Sequence, residues 1–196
     1  MDHGIGGADF PVARVTGSGI IFTMTEATKP KIGTDVFIAP GAYVGGDVTL
    51  GDQVTVMYQA VVRGDIAPIR VGSRVNFQDG AIVHTPYGVP LDMGDDIGVG
   101  HRAVVHCRSI GSCSLIGTGS ILLDNVVIGS RCVIAAGSVI PPNTIIPDGS
   151  VVMGLPGEIV RRTNDDDLKL IDHVVKSYIE IGRQHALGRF ANITPP

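Results

Sequence analysis

The chain has no tryptophan, and aromatic residues make up only 5% of its 196 residues. Its core must be built from aliphatic side chains. Cysteine is scarce too. Cys107, Cys113 and Cys132 cannot all pair within one chain, and no two have CxxC spacing. Reduced thiols in a cytoplasmic protein are the expectation. Basic residues are not in excess: the formal net charge is −4, which gives no footing for nucleic-acid binding. No apolar run approaches the length of a membrane span. The opening MDHGIGGADFPVARV lacks the basic-then-apolar order of a secretion signal, so no membrane association is expected.

Glycine, by contrast, is abundant, at 27 residues. With a core of Val, Ile and Leu, it suggests β-structure broken by frequent tight turns. A repeat organises these residues. From Ile32 the chain divides into sixes: IGTDVF, IAPGAY, VGGDVT, LGDQVT, VMYQAV and VRGDIA. Three extra residues precede VGSRVN, FQDGAI and VHTPYG, and four more precede MGDDIG and VGHRAV. VHCRS follows, one residue short, and eight further units run from Ile110 to Gly157. All twenty units open on an aliphatic residue, Met or Phe, against an apolar background of 44%. The second position is often Gly, and the fifth is usually small or β-branched.

This pattern resembles the hexapeptide-repeat family. The resemblance implies an all-β solenoid: a left-handed parallel β-helix of about seven triangular coils, three hexads to a coil. Inward first-position side chains would stack coil on coil, with Gly relieving crowding at the corners. Residues 1–31 are expected to supply an extended strand leading into the coils, 32–157 the β-helix, and 158–196 a C-terminal α-helix and tail. Thr163 and Asn164 before three aspartates form a helix start. Leu168, Ile171, Val175 and Tyr178 then recur at helical spacing, predicting a helix to about Leu187.

Counting coils aligns distant polar residues. Let faces A, B and C follow one another, with Ile32 opening face A. Arg63, His84 and His106 are each second in a hexad on face C, once the inserted residues are subtracted. They share one column on successive coils, which lie about 4.8 Å apart. That spacing lets two imidazoles converge on one metal ion. His101 is third in a hexad on face B, beside Asp79 one coil earlier, with Gln78 adjacent. One chain therefore offers two histidines on one face and a third around the corner. Three chains packed with C3 symmetry could join them.

The segments Arg63-Gly64-Asp65, Asn76-Phe77-Gln78-Asp79-Gly80, Val83-His84, Gly100-His101 and Val105-His106 resemble the γ-class carbonic anhydrases and their bacterial relatives. The resemblance implies a homotrimer in which His84, His101 and His106 bind Zn, or Fe under reducing conditions. Two ligands come from one subunit and one from its neighbour. It implies reversible hydration of CO2 to bicarbonate by metal-bound hydroxide. The candidate catalytic residues are Gln78, Asn76, Arg63 and Asp65; Gln78 matches the partner of the metal-bound water, and Arg63, Asp65 and Asp79 match an interface ion-pair set. Two positions depart from the prototype: Ile66 and Tyr87 stand where it has acids. The short TPYGVPLD segment replaces its long acidic loop.

Two alternatives accompany that reading. One is a metal-dependent acyl-CoA thioesterase or acyltransferase-like hexapeptide protein. The other is a non-catalytic metal-binding scaffold subunit. His3 falls in an N-terminal tail, His173 and His185 on the helix, and the cysteines read as small packing residues.

Overall fold

A computed structural model of the chain describes residues 13–16, 19–22 and 28–190. Short strands wind through seven coils of a left-handed parallel β-solenoid. On face A, Ile32, Leu50, Val71, Met93, Ile110, Ile128 and Ile146 stand in register. On face B the stack is Ile38, Val56, Phe77, Val99, Ile116, Ile134 and Val152. On face C it is Val44, Val62, Val83, Val105, Leu122 and Ile140. These are the first residues of the twenty hexads. Fifth-position residues such as Val54, Ala81, Ile97, Ser120 and Cys132 also point inward and are fully buried. Small or β-branched side chains fit there because they share the triangular interior with the first-position stacks. Two buried serine hydroxyls are satisfied locally: Ser120 donates to the Gly117 carbonyl at 2.7 Å, and Ser150 to that of Pro147 at 2.6 Å.

The corners impose two separate demands. Where the second position is glycine, as at Gly117, a side chain would strike the next coil: its Cβ would lie 2.5 Å from the backbone nitrogen of Ala136. At the fourth position the backbone is left-handed, with φ +58° at Arg74 and +57° at Arg131. Between them, third-position side chains lock coil to coil. The Thr34 N–H donates to Asp52, the Asp52 N–H to Ser73, and the Ser73 N–H to Asp95.

The structure places the inserted residues earlier than the repeat suggests. Gly46 pairs with Gly64 and Val48 with Ile69, so the first insertion bulges at residues 65–68, immediately after Gly64. Leu91 already pairs with Ile69, so the second occupies the turn following His84. First-position side chains fix only the start of each hexad, and the backbone bulges where the corner has most room. The leading segment also differs from a single extended strand. Ala13–Thr16 pairs antiparallel with Gly19–Phe22. At the other end, Gly157–Arg162 folds back antiparallel on Ser150–Gly154.

The helix α1 spans Asp165–Ala186. Asn164 caps it by accepting from the Asp166 and Asp167 N–H groups, and Asp167 accepts in return from the Asn164 N–H. The helix lies along face B and approaches it closely at two glycines. A Cβ on Gly182 would lie 2.5 Å from Thr55 Cγ2, and one on Gly98 would lie 3.2 Å from Val174 Cγ1. Ile171 and Val175 are buried beneath it. Among the described residues no helix is long and apolar enough to cross a membrane.

Candidate metal centre

The strands of face C carry His84 and His106 on adjacent coils. The His84 N–H donates to the Val105 carbonyl and the His106 N–H to that of Leu122, both at 3.0 Å. The two rings stack, with centroids 5.3 Å apart and planes 26° apart. This is the column that coil counting anticipates. His101 stands at the corner beyond face B, and its Nδ1 lies 3.0 Å from Asp79 Oδ2.

Each histidine has its own carboxylate. Asp65 Oδ1 lies 2.9 Å from His84 Nε2, and Asp124 Oδ1 lies 2.6 Å from His106 Nδ1. An ionised carboxylate only accepts, so the imidazole is the donor in every pair. The acceptor assigns the tautomers: His84 carries its proton on Nε2, and His101 and His106 carry theirs on Nδ1. The remaining nitrogen of His101 is taken as well, since Tyr178 Oη of α1 lies 3.2 Å from Nε2.

Asp65 also accepts from Arg63, at 2.5 Å. Burial works to raise the Asp65 carboxyl, but the hydrogen bonds from Arg63 and His84 outweigh it and hold it below the usual range. Asn76 and Gln78 are buried. Gln78 Nε2 donates to Asn76 Oδ1 at 3.2 Å, and Asn76 Nδ2 is 3.4 Å from the Ile97 carbonyl. Ile66 lines a cavity of about 480 Å³ beside Asp65, together with Tyr43 and Pro68. Tyr87 is 71% exposed. Cys107 follows His106 but is buried, and burial pushes its thiol up to about 12.

The donor chemistry fits a divalent cation of the zinc kind. Such sites favour imidazole, and a metal-bound histidine almost always gives its other N–H to a carboxylate, carbonyl or water. Among the described residues, however, no three side chains of His, Cys, Asp or Glu gather into a metal-binding group within one chain. The structure brings together His84, His106, Arg63 and Asp65, and separately His101, Asp79 and Tyr178.

Asp124 and Tyr178 are the site residues that the sequence leaves unassigned. Asp124 stands 18 residues after His106, one full coil, so the count that aligns the histidines also reaches it. Tyr178 is readable as part of the helix face, but nothing local reveals its partner. His185 is a packing residue: it stacks on Phe37 with centroids 5.6 Å apart, and its Nδ1 is 3.0 Å from Tyr58 Oη. His173 is exposed, and His3 lies outside the described residues.

Comparison with known proteins extends this geometry. The family model described as "Dynactin subunit 5" matches residues 26–185. A probable carbonic anhydrase of Methanocaldococcus jannaschii is 45% identical over 150 residues, covering 76% of this chain and 94% of that protein. The uncharacterized transferase YtoA of Bacillus subtilis is 48% identical over 157 residues, covering 80% and 92%. Among solved structures, a putative acetyltransferase of Bacillus cereus superposes with a TM-score of 0.79 at 36% identity, covering 83% of this chain and 94% of its own.

Proposed function

The chain belongs to the γ-class carbonic anhydrase-like family of hexapeptide-repeat proteins, and on that footing we propose that it is a metal-dependent enzyme that hydrates CO2 reversibly at the interfaces of a homotrimer. One observation carries the reading. His84 and His106 stack on neighbouring coils while His101 stands around the corner, and all three give one nitrogen to an aspartate. Metal-ligating histidines almost always give their other ring N–H to a partner of this kind.

In this reading His84 and His106 of one chain and His101 of the next, its Nε2 exchanging the Tyr178 hydrogen bond for the metal, hold Zn or Fe, which when bound acidifies water so that hydroxide is available near neutral pH. Gln78 is fixed by its bond to Asn76 and keeps its carboxamide oxygen as an acceptor for a water or bicarbonate hydroxyl. Asp65, charged and held by Arg63, orients His84. With Ile66 and Tyr87 at the two departures from the prototype, the released proton passes to solvent buffer. CO2 hydration should therefore rise with the concentration of an imidazole-type buffer; a rate independent of buffer would contradict this.

The test combines three measurements on protein loaded with Zn, or with Fe under anaerobic conditions: native mass, metal per chain and CO2 hydration. A trimer with one metal per chain, losing turnover in His106→Ala and metal in His101→Ala, supports the proposal. The transferase names of two relatives favour acyl transfer or thioester hydrolysis as the second reading. Full metal content with no CO2 hydration but turnover of an acyl-CoA panel would select it. Full metal with neither activity would select a scaffold role, and a metal-free trimer would sink both enzymatic readings.

A further inference from the structure

The three carboxylates are not equivalent. Asp65 is shared between His84 and Arg63. Asp79 holds a histidine whose other nitrogen already meets Tyr178. Asp124 is different: among the described residues no arginine or lysine pairs with it, and its contact with His106 is the tightest of the three, at 2.6 Å.

Stability does not explain this pair. Its side chains are 29% and 53% exposed, and ion pairs so open to water contribute little to folding. Yet the carboxylate is carefully mounted. The Asn143 N–H donates to the Asp124 carbonyl at 2.8 Å, and the adjacent Asn125 is a left-handed corner residue with φ +60°. Asn125 Nδ2 in turn donates to Asn143 Oδ1 at 3.1 Å. A corner pinned on both sides thus presents one acceptor to one ring nitrogen.

A neutral imidazole has one N–H and one bare nitrogen, and only the bare nitrogen can donate to a metal. We propose that Asp124 is a positioning residue of the metal centre: by accepting the Nδ1 proton of His106, it holds that ring in the tautomer that leaves Nε2 as the donor atom. This rests on the metal-binding reading of His106, but it makes a claim about the ring that precedes any metal. An asparagine at 124 keeps the size of the side chain but can turn its amide N–H toward Nδ1, which then becomes the acceptor and moves the proton to Nε2.

The experiment uses the full chain, labelled with 15N-histidine. In the metal-free wild type, the long-range 15N–1H spectrum should show His106 protonated at Nδ1. In Asp124→Asn that signature should shift toward protonation at Nε2, and Asp124→Glu should largely restore it. Zn affinity, measured by competition with a chelating dye, should fall about 10- to 100-fold in Asp124→Asn and recover in the Glu variant. His106 protonated at Nε2 in the wild type would overturn the proposal without any variant having to fold. So would unchanged tautomer and affinity in Asp124→Asn. If the wild type binds no Zn while the Nδ1 signature is present and is lost in Asp124→Asn, the metal reading fails and the orienting role of Asp124 stands.

Discussion

Arg70 reaches across a coil boundary and grips Asp47 with both ends of its guanidinium, at 2.7 and 3.0 Å. That hydrogen bonding holds the Asp47 carboxyl below the usual range. Arg161 does the same to Asp167. Because both folded values are lowered, their contribution to stability is complete above the unfolded value of about 3.9. It is lost as pH falls through the lowered folded values. Asp47→Asn should therefore be less stable than wild type at neutral pH, and the gap should close as pH falls below about 4. Urea denaturation across that range checks it, and a constant gap would refute it. Thiols give a second prediction at this scale. Cys107 is pushed up to about 12 and Cys132 is raised, both by burial. Alkylation of the native protein should mark the half-buried Cys113 slowly and leave the other two untouched until denaturant is added, as peptide mass mapping would record.

At the scale of the element, the solenoid and its helix depend on different residues. Gly117→Ala forces a Cβ against the backbone of the neighbouring coil, where no flexible side chain can yield. A loss of about 1–3 kcal/mol is expected. Asn164→Ala removes two accepted N–H bonds at the helix start and should cost about 1 kcal/mol. Thermal unfolding by circular dichroism reads both. The helix start was legible in the sequence because its chemistry is local: a capping residue, three acids, then an apolar stripe. The coils were legible because every buried first position repeats after one face. Ile32 and Ile38 follow the rule but are 45% and 39% exposed, since among the described residues no earlier coil covers them. The positions of the two bulges were not legible, because a bulge after Gly64 leaves every first position unchanged.

At the scale of the whole molecule, the solenoid and helix meet through two reciprocal pairs. The solenoid supplies Tyr58 to the helix His185, and His101 to the helix Tyr178. Tyr58→Phe and Tyr178→Phe should each cost about 1 kcal/mol. In the double variant the losses should add to within about 0.5 kcal/mol, because the pairs share no partner. A double loss far from the sum would mean that the helix detaches as a unit. The histidine column and the Asp79–His101 neighbours could be read by counting coils, whereas Tyr178 could not. Its partner lies 77 residues away, on a surface whose facing is set by tertiary packing.

The spacing of those two pairs has a consequence for length. Tyr178 and His185 are seven residues apart, an advance of about 10.5 Å along the helix. Tyr58 and His101 stand two coils apart, about 9.6 Å along the solenoid. The two rulers agree to about an ångström over that interval. Helix α1 therefore works as a vernier against the stack, and it registers how many coils lie between its two marks. A chain that gained a coil between Tyr58 and His101 would keep one pair in reach and lose the other, whatever the quality of its repeats.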